Sequence, residues 1–259
     1  MTNSKPHPMY AHIYVSPHLD DAALSCGGRI WQQAQAGDRV LVVTVFAGER
    51  GADSPLSPFA AQMHALWELE GDAPTMRRRE DAEALACLGT DAAYWPYLDC
   101  IYRQMDDDFP YASEEALFGE VYPAEEKLVD ELAGRLGGLP LEPGGTLYAP
   151  MAIGRHVDHQ VVHRAAGRIG RPVAYYEDYP YAEDQQAVQE ALEGLSWRVE
   201  RVALSEEALE ARVAAIARYD SQFITLGWAD AAAMEKAVRA FAVRTGDGVP
   251  AERYWRPMT

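Results

Sequence analysis

The run Val40-Leu41-Val42-Val43-Thr44-Val45-Phe46 constrains this chain more than any other stretch. Its residues are β-branched or apolar at odd and even positions alike, so a strand built from them has no face suited to water. Such a strand belongs in a parallel sheet covered by helices on both sides. Four further strand-like runs surround it: Ile13-Tyr14-Val15, Ala92 to Leu98, Thr146 to Ile153, and Val173-Ala174-Tyr175-Tyr176. Between them lie helical patterns. Arg29 to Ala36 stops at Gly37, Thr75 to Leu88 stops at Gly89, Ser113 to Leu136 breaks near Pro123, and another helix follows Asp158. This alternation predicts an α/β fold, a Rossmann-like and mostly parallel sheet flanked by helices, with its active site at the carboxyl ends of the strands.

The later chain reads as a strand over Trp197 to Leu204, a helix from Ser205 to Tyr219 and a helix over Ala231 to Val243, with Tyr254-Trp255 docking on the body. Gly137 to Gly145 is the clearest connector, yet nothing in it marks a second domain, so the expectation is one domain over residues 1–259 with a flexible tail at 1–9. The formal net charge is -17, from 40 acidic against 23 basic residues. That balance argues against nucleic acid or an anionic membrane surface as a partner. Three cysteines, Cys26, Cys87 and Cys100, form no closely spaced pair. With no apolar stretch of membrane-spanning length and no secretory pattern in Met1 to Pro8, a cytoplasmic protein is expected, and a homo-oligomer is compatible with it.

Chemistry gathers in two polar loops that each follow a strand. The first is Ser16-Pro17-His18-Leu19-Asp20-Asp21, and the second is Arg155-His156-Val157-Asp158-His159. His18 and Asp21, three apart, can face one point in an opening helical turn, while Asp20 is directed elsewhere. Taken alone, the first loop supports two readings equally: metal ligands, or aspartates capping the next helix beside a loop histidine. The second cluster favours ligands, because loops at strand ends meet in one crevice and zinc accepts imidazole and carboxylate with a position left for water. His18, Asp21 and His159 would supply three ligands, with His163 a rival to His159 by spacing. A dinucleotide site is a weaker reading, since Gly27-Gly28 follows the first strand but no G-x-G-x-x-G is present.

His18-Leu19-Asp20-Asp21 paired with His156-Val157-Asp158-His159 resembles the LmbE-like, or PIG-L, zinc-dependent N-deacetylases of N-acetylglucosaminyl substrates. The resemblance extends to Arg77-Arg78-Arg79-Glu80, to Asp99, and to Tyr219-Asp220-Ser221-Gln222. It departs at Leu19, where the family usually has proline, at Ala22, often glutamate, and at Gly154, where some members carry tyrosine. The resemblance implies zinc, or another divalent ion such as Fe2+, on His18, Asp21 and His159. It also implies Asp20 as general base, a protonated His156 beside the developing oxyanion, Asp158 orienting a histidine, and Arg77 and Asp99 contacting a sugar. The substrate would be a small N-acetylated amino sugar or its glycoside. A related metalloamidase cleaving a larger amide, or a non-catalytic sugar- or nucleotide-binding protein, are the alternatives. The excursion from Ala47 to Thr75 would then form a substrate wall.

Overall fold

Seven strands form one sheet in the order β3-β2-β1-β4-β5-β7-β6. The computed structural model describes residues 8–51, 54–67, 73–106 and 108–258; most of the expected tail, part of the Ala47 to Thr75 excursion, and Asp107 lie outside them. In chain order the elements are β1 (Tyr10–Ser16), α1 (Asp21–Gln35), β2 (Val40–Thr44), α2 (Pro58–Leu66), α3 (Ala73–Leu88), β3 (Asp91–Tyr94), α4 (Glu114–Leu117), α5 (Glu126–Gly137), β4 (Leu141–Pro150), α6 (Val157–Gly167), β5 (Val173–Tyr176), α7 (Gln185–Ala191), β6 (Trp197–Ala203), α8 (Glu206–Ile216), α9 (Ala231–Thr245) and β7 (Ala251–Pro257). β1, β2, β3, β4 and β5 pair in parallel, and β7 runs antiparallel to both β5 and β6.

All five residues of β2 are buried. Alternate side chains enter two different cores, as the two-residue period of a strand requires. Ile13, Val15, Leu41, Val43 and Leu147 pack on one face with Val129 and Leu132 of α5 and Val161 and Val162 of α6. Tyr14, Val40, Val42 and Tyr148 pack on the other with Ala23, Cys26 and Ile30 of α1 and Leu85 and Leu88 of α3. The continuous apolar run is thus the sequence signature of a strand covered twice.

Three expectations are corrected. β3 ends at Tyr94 rather than running to Leu98: Trp95 still donates to the Thr44 carbonyl and Pro96 makes only an isolated bridge to Phe46, and a short 3-10 turn follows at Cys100–Tyr102. The helix opened by Ser205 stops at Ile216, short of Tyr219. Tyr254 and Trp255 do not merely dock: they belong to β7, inserted between β5 and β6, and Tyr254 is fully buried. The strand's charged residues Glu252, Arg253 and Arg256 hid its character in the sequence. Among the described residues, no helix is long and apolar enough to cross a membrane.

β1 is the switch point of the sheet: the chain passes from it to β2 on one side, and β4 lies on the other. Loops leaving β1 and β4 therefore part at their carboxyl ends and leave a crevice there.

Candidate functional site

The two polar loops meet in this crevice. His18 leaves β1, and Asp21 opens α1; the Asp21 Oδ2 accepts the His18 backbone N–H at 2.7 Å, which folds the loop tightly over the helix start. The alternative of aspartates serving as helix caps is not what the side chains do. Asp20 makes no capping hydrogen bond, and the Ala22 N–H is taken by the Ser16 hydroxyl at 3.0 Å.

Across the crevice, a turn with positive φ at Ala152, Gly154 and Arg155 delivers His156 and His159. Gly154 is the position where some relatives are expected to carry tyrosine. Here a Cβ would fall 2.6 Å from the ring of Tyr181, and that ring stands edge-on to His159 with centroids 5.9 Å apart. The aromatic wall is thus supplied from the other side of the loop.

One oxygen lies at the centre of the cluster. Asp21 Oδ2 is 3.3 Å from His18 Nδ1 and 3.4 Å from His159 Nε2. The outer nitrogen of each ring is held by a buried carboxylate: His18 Nε2 by Asp158 at 2.9 Å, and His159 Nδ1 by Asp178 at 2.7 Å. In the neutral form of each ring this places the proton on the outer nitrogen and leaves the inner nitrogen to offer an electron pair, the second-partner arrangement that orients metal-binding imidazoles. Ligand atoms in a tetrahedral zinc site with bonds of about 2.0–2.1 Å stand about 3.3 Å apart. The observed spacing and the N,N,O donor set fit a divalent cation. The imidazole nitrogens of His18, His156 and His159 also lie within 4.8 Å of one another. His156 differs from the other two, because its Nδ1 accepts the Asp158 backbone N–H at 3.3 Å. This leaves the ring proton on Nε2, a donor rather than a ligand.

Electrostatics follow from burial. Asp20, Asp21, His156, Asp158 and His159 are each less than a tenth exposed. Burial pushes the Asp20 carboxyl up to about 7, Asp21 adds to the rise and Arg77 opposes it. Burial acts the same way on Asp21 and Asp158, but is overcome. His159 and His18 hold Asp21 well below the carboxylate range, and Arg103, 2.6 Å from Asp158, does the same there. Burial opposes charge on His18, yet Asp158 and Asp21 outweigh it and raise its pKa. Burial lowers that of His156 well below the ordinary value, and the charges of His18 and His159 add to the effect. This runs against the expectation of a protonated His156: among the described residues no carboxylate is hydrogen-bonded to its ring to offset desolvation, and its pKa is held down.

The remaining expected residues sit at the rim. Arg77, at the start of α3, is 3.5 Å from Asp20. Asp99 accepts the Ile101 N–H through Oδ1 at 3.1 Å, while its Oδ2 faces His18 at 3.8 Å. The structure brings His18, Asp20, Asp21, His156, Asp158, His159, Arg77 and Asp99 into one place. His163 is elsewhere, bonded to the Pro150 carbonyl at 3.0 Å and packed on Tyr175. The late landmark is explained by α3: Glu80 accepts from the Ser221 N–H and hydroxyl, and Asp81 accepts from the Tyr219 hydroxyl at 2.7 Å. Asp178, which holds His159, is the member of this cluster to which the sequence assigned no role. Its position just beyond a buried strand was a signal, but the pairing with His159 needs the fold.

A family profile described as PIG-L, GlcNAc-PI de-N-acetylase, matches residues 13–169. Over 186 residues the chain is 31% identical to a 2'-N-acetylparomamine deacetylase of Niallia circulans, covering 66% of this chain and 67% of that protein. A protein of the same description from Streptomyces fradiae is 34% identical over 68% of this chain. The match spans 59% of the length of that Streptomyces relative. Among solved structures, the zinc-inhibited form of teicoplanin deacetylase superposes with a TM-score of 0.81 at 30% identity, covering 95% of this chain and 97% of the other. An N,N'-diacetylchitobiose deacetylase from Pyrococcus horikoshii shares the fold, with a TM-score of 0.55 at 18% identity over 95% of this chain and 83% of that one.

Proposed function

The chain belongs to the PIG-L family of de-N-acetylases, and from that premise we propose that it is a zinc-dependent hydrolase that removes the acetyl group from an N-acetylated amino sugar of the antibiotic type. The observation that carries this reading is the pair of imidazoles, each braced from outside by a buried carboxylate and each facing the same Asp21 oxygen, with the unliganded carboxyl of Asp20 beside them. The substrate class is supported by relatives whose names specify N-acetylparomamine and teicoplanin.

His18 Nδ1, His159 Nε2 and Asp21 would hold the cation, with zinc the reading and iron also compatible with an N,N,O set. When bound, such a cation supplies Lewis acidity toward the acetamide carbonyl and acidifies water near neutral pH. Asp20 accepts the proton of the attacking water. Its elevated pKa suits it to hold that proton briefly and then return it to the departing amine. His156, neutral and protonated on Nε2, donates a hydrogen bond to the carbonyl oxygen as negative charge develops there. Asp158 and Asp178 keep the two outer ring nitrogens fixed throughout. Arg77 and Asp99 hold the sugar, Arg77 donating and Asp99 accepting.

The test is acetate release from N-acetylglucosaminides and mono-N-acetylated aminoglycosides by zinc-loaded protein. Release should vanish on chelation, return with zinc, and fall by roughly 100-fold or more in Asp20→Asn, the range a positioned base contributes. Stoichiometric metal with no acetate from any of these sugars would overturn the reading.

A further inference from the structure

The buried carboxylate that holds His18 is itself held. Asp158 is fully buried; its Oδ2 lies 2.9 Å from His18 Nε2 and accepts the Cys100 backbone N–H at 3.0 Å. Its Oδ1 faces Arg103 Nη1 at 2.6 Å. The guanidinium continues to a second buried carboxylate. Arg103 Nε and Nη2 donate to Glu125 Oε1 and Oε2 at 2.5 and 3.2 Å, and Glu125 Oε2 also accepts from the Tyr111 hydroxyl at 2.8 Å. Contacts thus run without a gap from Tyr111 through Glu125, Arg103 and Asp158 to a proposed metal ligand.

Stability alone is a poor explanation of this chain. Buried ion pairs are weak stabilisers, because apolar side chains of similar volume often serve as well once desolvation is counted. Here three charges from three segments converge behind the outer nitrogen of one imidazole: Arg103 follows the 3-10 turn, Glu125 precedes α5, and Asp158 stands in the first turn of α6. The planar fork of an arginine fixes the direction of each carboxylate it meets, which a point charge does not. Its own freedom is small, since the guanidinium lies 4.9 Å from the centre of the Phe46 ring and 5.5 Å from that of Tyr111. The same group reaches the other rim of the site. Arg103 Nη1 also donates to the Leu98 carbonyl at 3.0 Å, one residue before Asp99.

We propose that Arg103 is a positioning residue for the metal centre: it fixes the carboxylate of Asp158, and through it the ring of His18, against the turn that carries Asp99. Glu125 holds the guanidinium in place. The assignment rests on the reading of His18 as a metal ligand given above, and Arg103 acts through Asp158 rather than on the reacting atoms.

The experiment titrates metal-free wild type, Arg103→Met, Arg103→Lys and Glu125→Gln with zinc against a competing chelator. Urea unfolding of each metal-free protein confirms that it is folded under the titration conditions. Removing the outer partner of a ligating histidine weakens metal binding about 10- to 100-fold. Arg103 stands one step further out, so Arg103→Met should weaken zinc by about tenfold. Arg103→Lys keeps the charge beside Asp158 without the fork and should recover part of that loss. Glu125→Gln should weaken zinc less than Arg103→Met, because Asp158 keeps its cation. A folded Arg103→Met with wild-type zinc affinity would overturn the assignment and leave the metal reading standing. Should Arg103→Met not fold, wild-type affinity in both Arg103→Lys and Glu125→Gln would overturn it equally. A wild type that binds no zinc would remove both the assignment and the metal reading.

Discussion

Asp20 and Asp21 are adjacent in the chain, and tertiary surroundings alone separate their chemistry. Asp21 meets two imidazoles and a backbone N–H, each favouring the carboxylate, and its pKa falls. Asp20 meets Asp21 on one side and Arg77 on the other, and burial carries its pKa up to about 7. Two carboxyls pushed apart in this way mark a division between ligand and proton carrier. The sign for catalysis is direct. The base works as carboxylate, so kcat/KM rises with pH as Asp20 loses its proton. A bound cation favours the ionised form and moves this transition downward. The acidic limb of kcat/KM for the metal-loaded enzyme is therefore expected below pH 7, and Asp20→Asn should abolish it; a limb that persists in the variant would assign it to another group. The sequence showed which residue types stand here, and the family resemblance suggested their roles. Neither could show that burial, with His18 and His159 close by, pulls the His156 pKa down.

The element that carries Asp21 has an unusual interior. In a regular helix the Gly28 N–H would bond the Leu24 carbonyl. In α1 the Leu24 carbonyl accepts from Arg212 Nε and Nη2, at 3.1 and 2.6 Å, while Glu252 accepts the N–H groups of Gly28 and Arg29 at 2.9 and 3.1 Å. Arg212 comes from α8 and Glu252 from β7, and their side chains are 3.6 Å apart with almost no exposure. An ion pair is thus inserted against the middle turn of the helix whose first residue faces the two imidazoles. Gly27 is needed for this approach, since a Cβ there would come within 3.1 Å of Arg212. Breaking a buried pair leaves an uncompensated charge. Arg212→Met should cost about 3–5 kcal/mol in urea unfolding, and adding Glu252→Gln should restore part of it. If the double variant is no more stable than the single, the pair is not what holds this turn. From sequence, Gly27-Gly28 stood out only as glycines following the first strand without a G-x-G-x-x-G pattern. In the fold they make room for Arg212, Leu204 and Glu252.

At the scale of the whole molecule, the net charge of -17 surrounds a cleft proposed to take amino sugars. An acidic protein concentrates cationic substrates near its surface and does so less as salt screens the field. For a mono-N-acetylated aminoglycoside with free ammonium groups, kcat/KM should fall several-fold as ionic strength rises from about 0.01 to about 0.15 M. A neutral N-acetylglucosaminide should show little change under the same conditions. Equal salt dependence for the two would show that overall charge does not steer substrate. The sheet itself supplies the other global device, with β1 at the switch point so that loops from β1 and β4 open toward one another.

The sequence by itself determined the α/β alternation, the doubly covered strands and the two loops of histidine and aspartate, because each is a local pattern: a run without a polar face, a glycine stop, a short spacing of ligand types. It also carried the family resemblance through motifs far apart in the chain. Only the tertiary structure decided what those residues meet. It set Asp158 against His18 and Asp178 against His159, brought Arg77 to Asp20, and buried the charged strand β7 within the sheet. The physical reason is that pKa, tautomer and hydrogen-bond satisfaction depend on which groups approach within a few ångströms after folding. Here those partners lie from 19 to 140 positions apart in the chain.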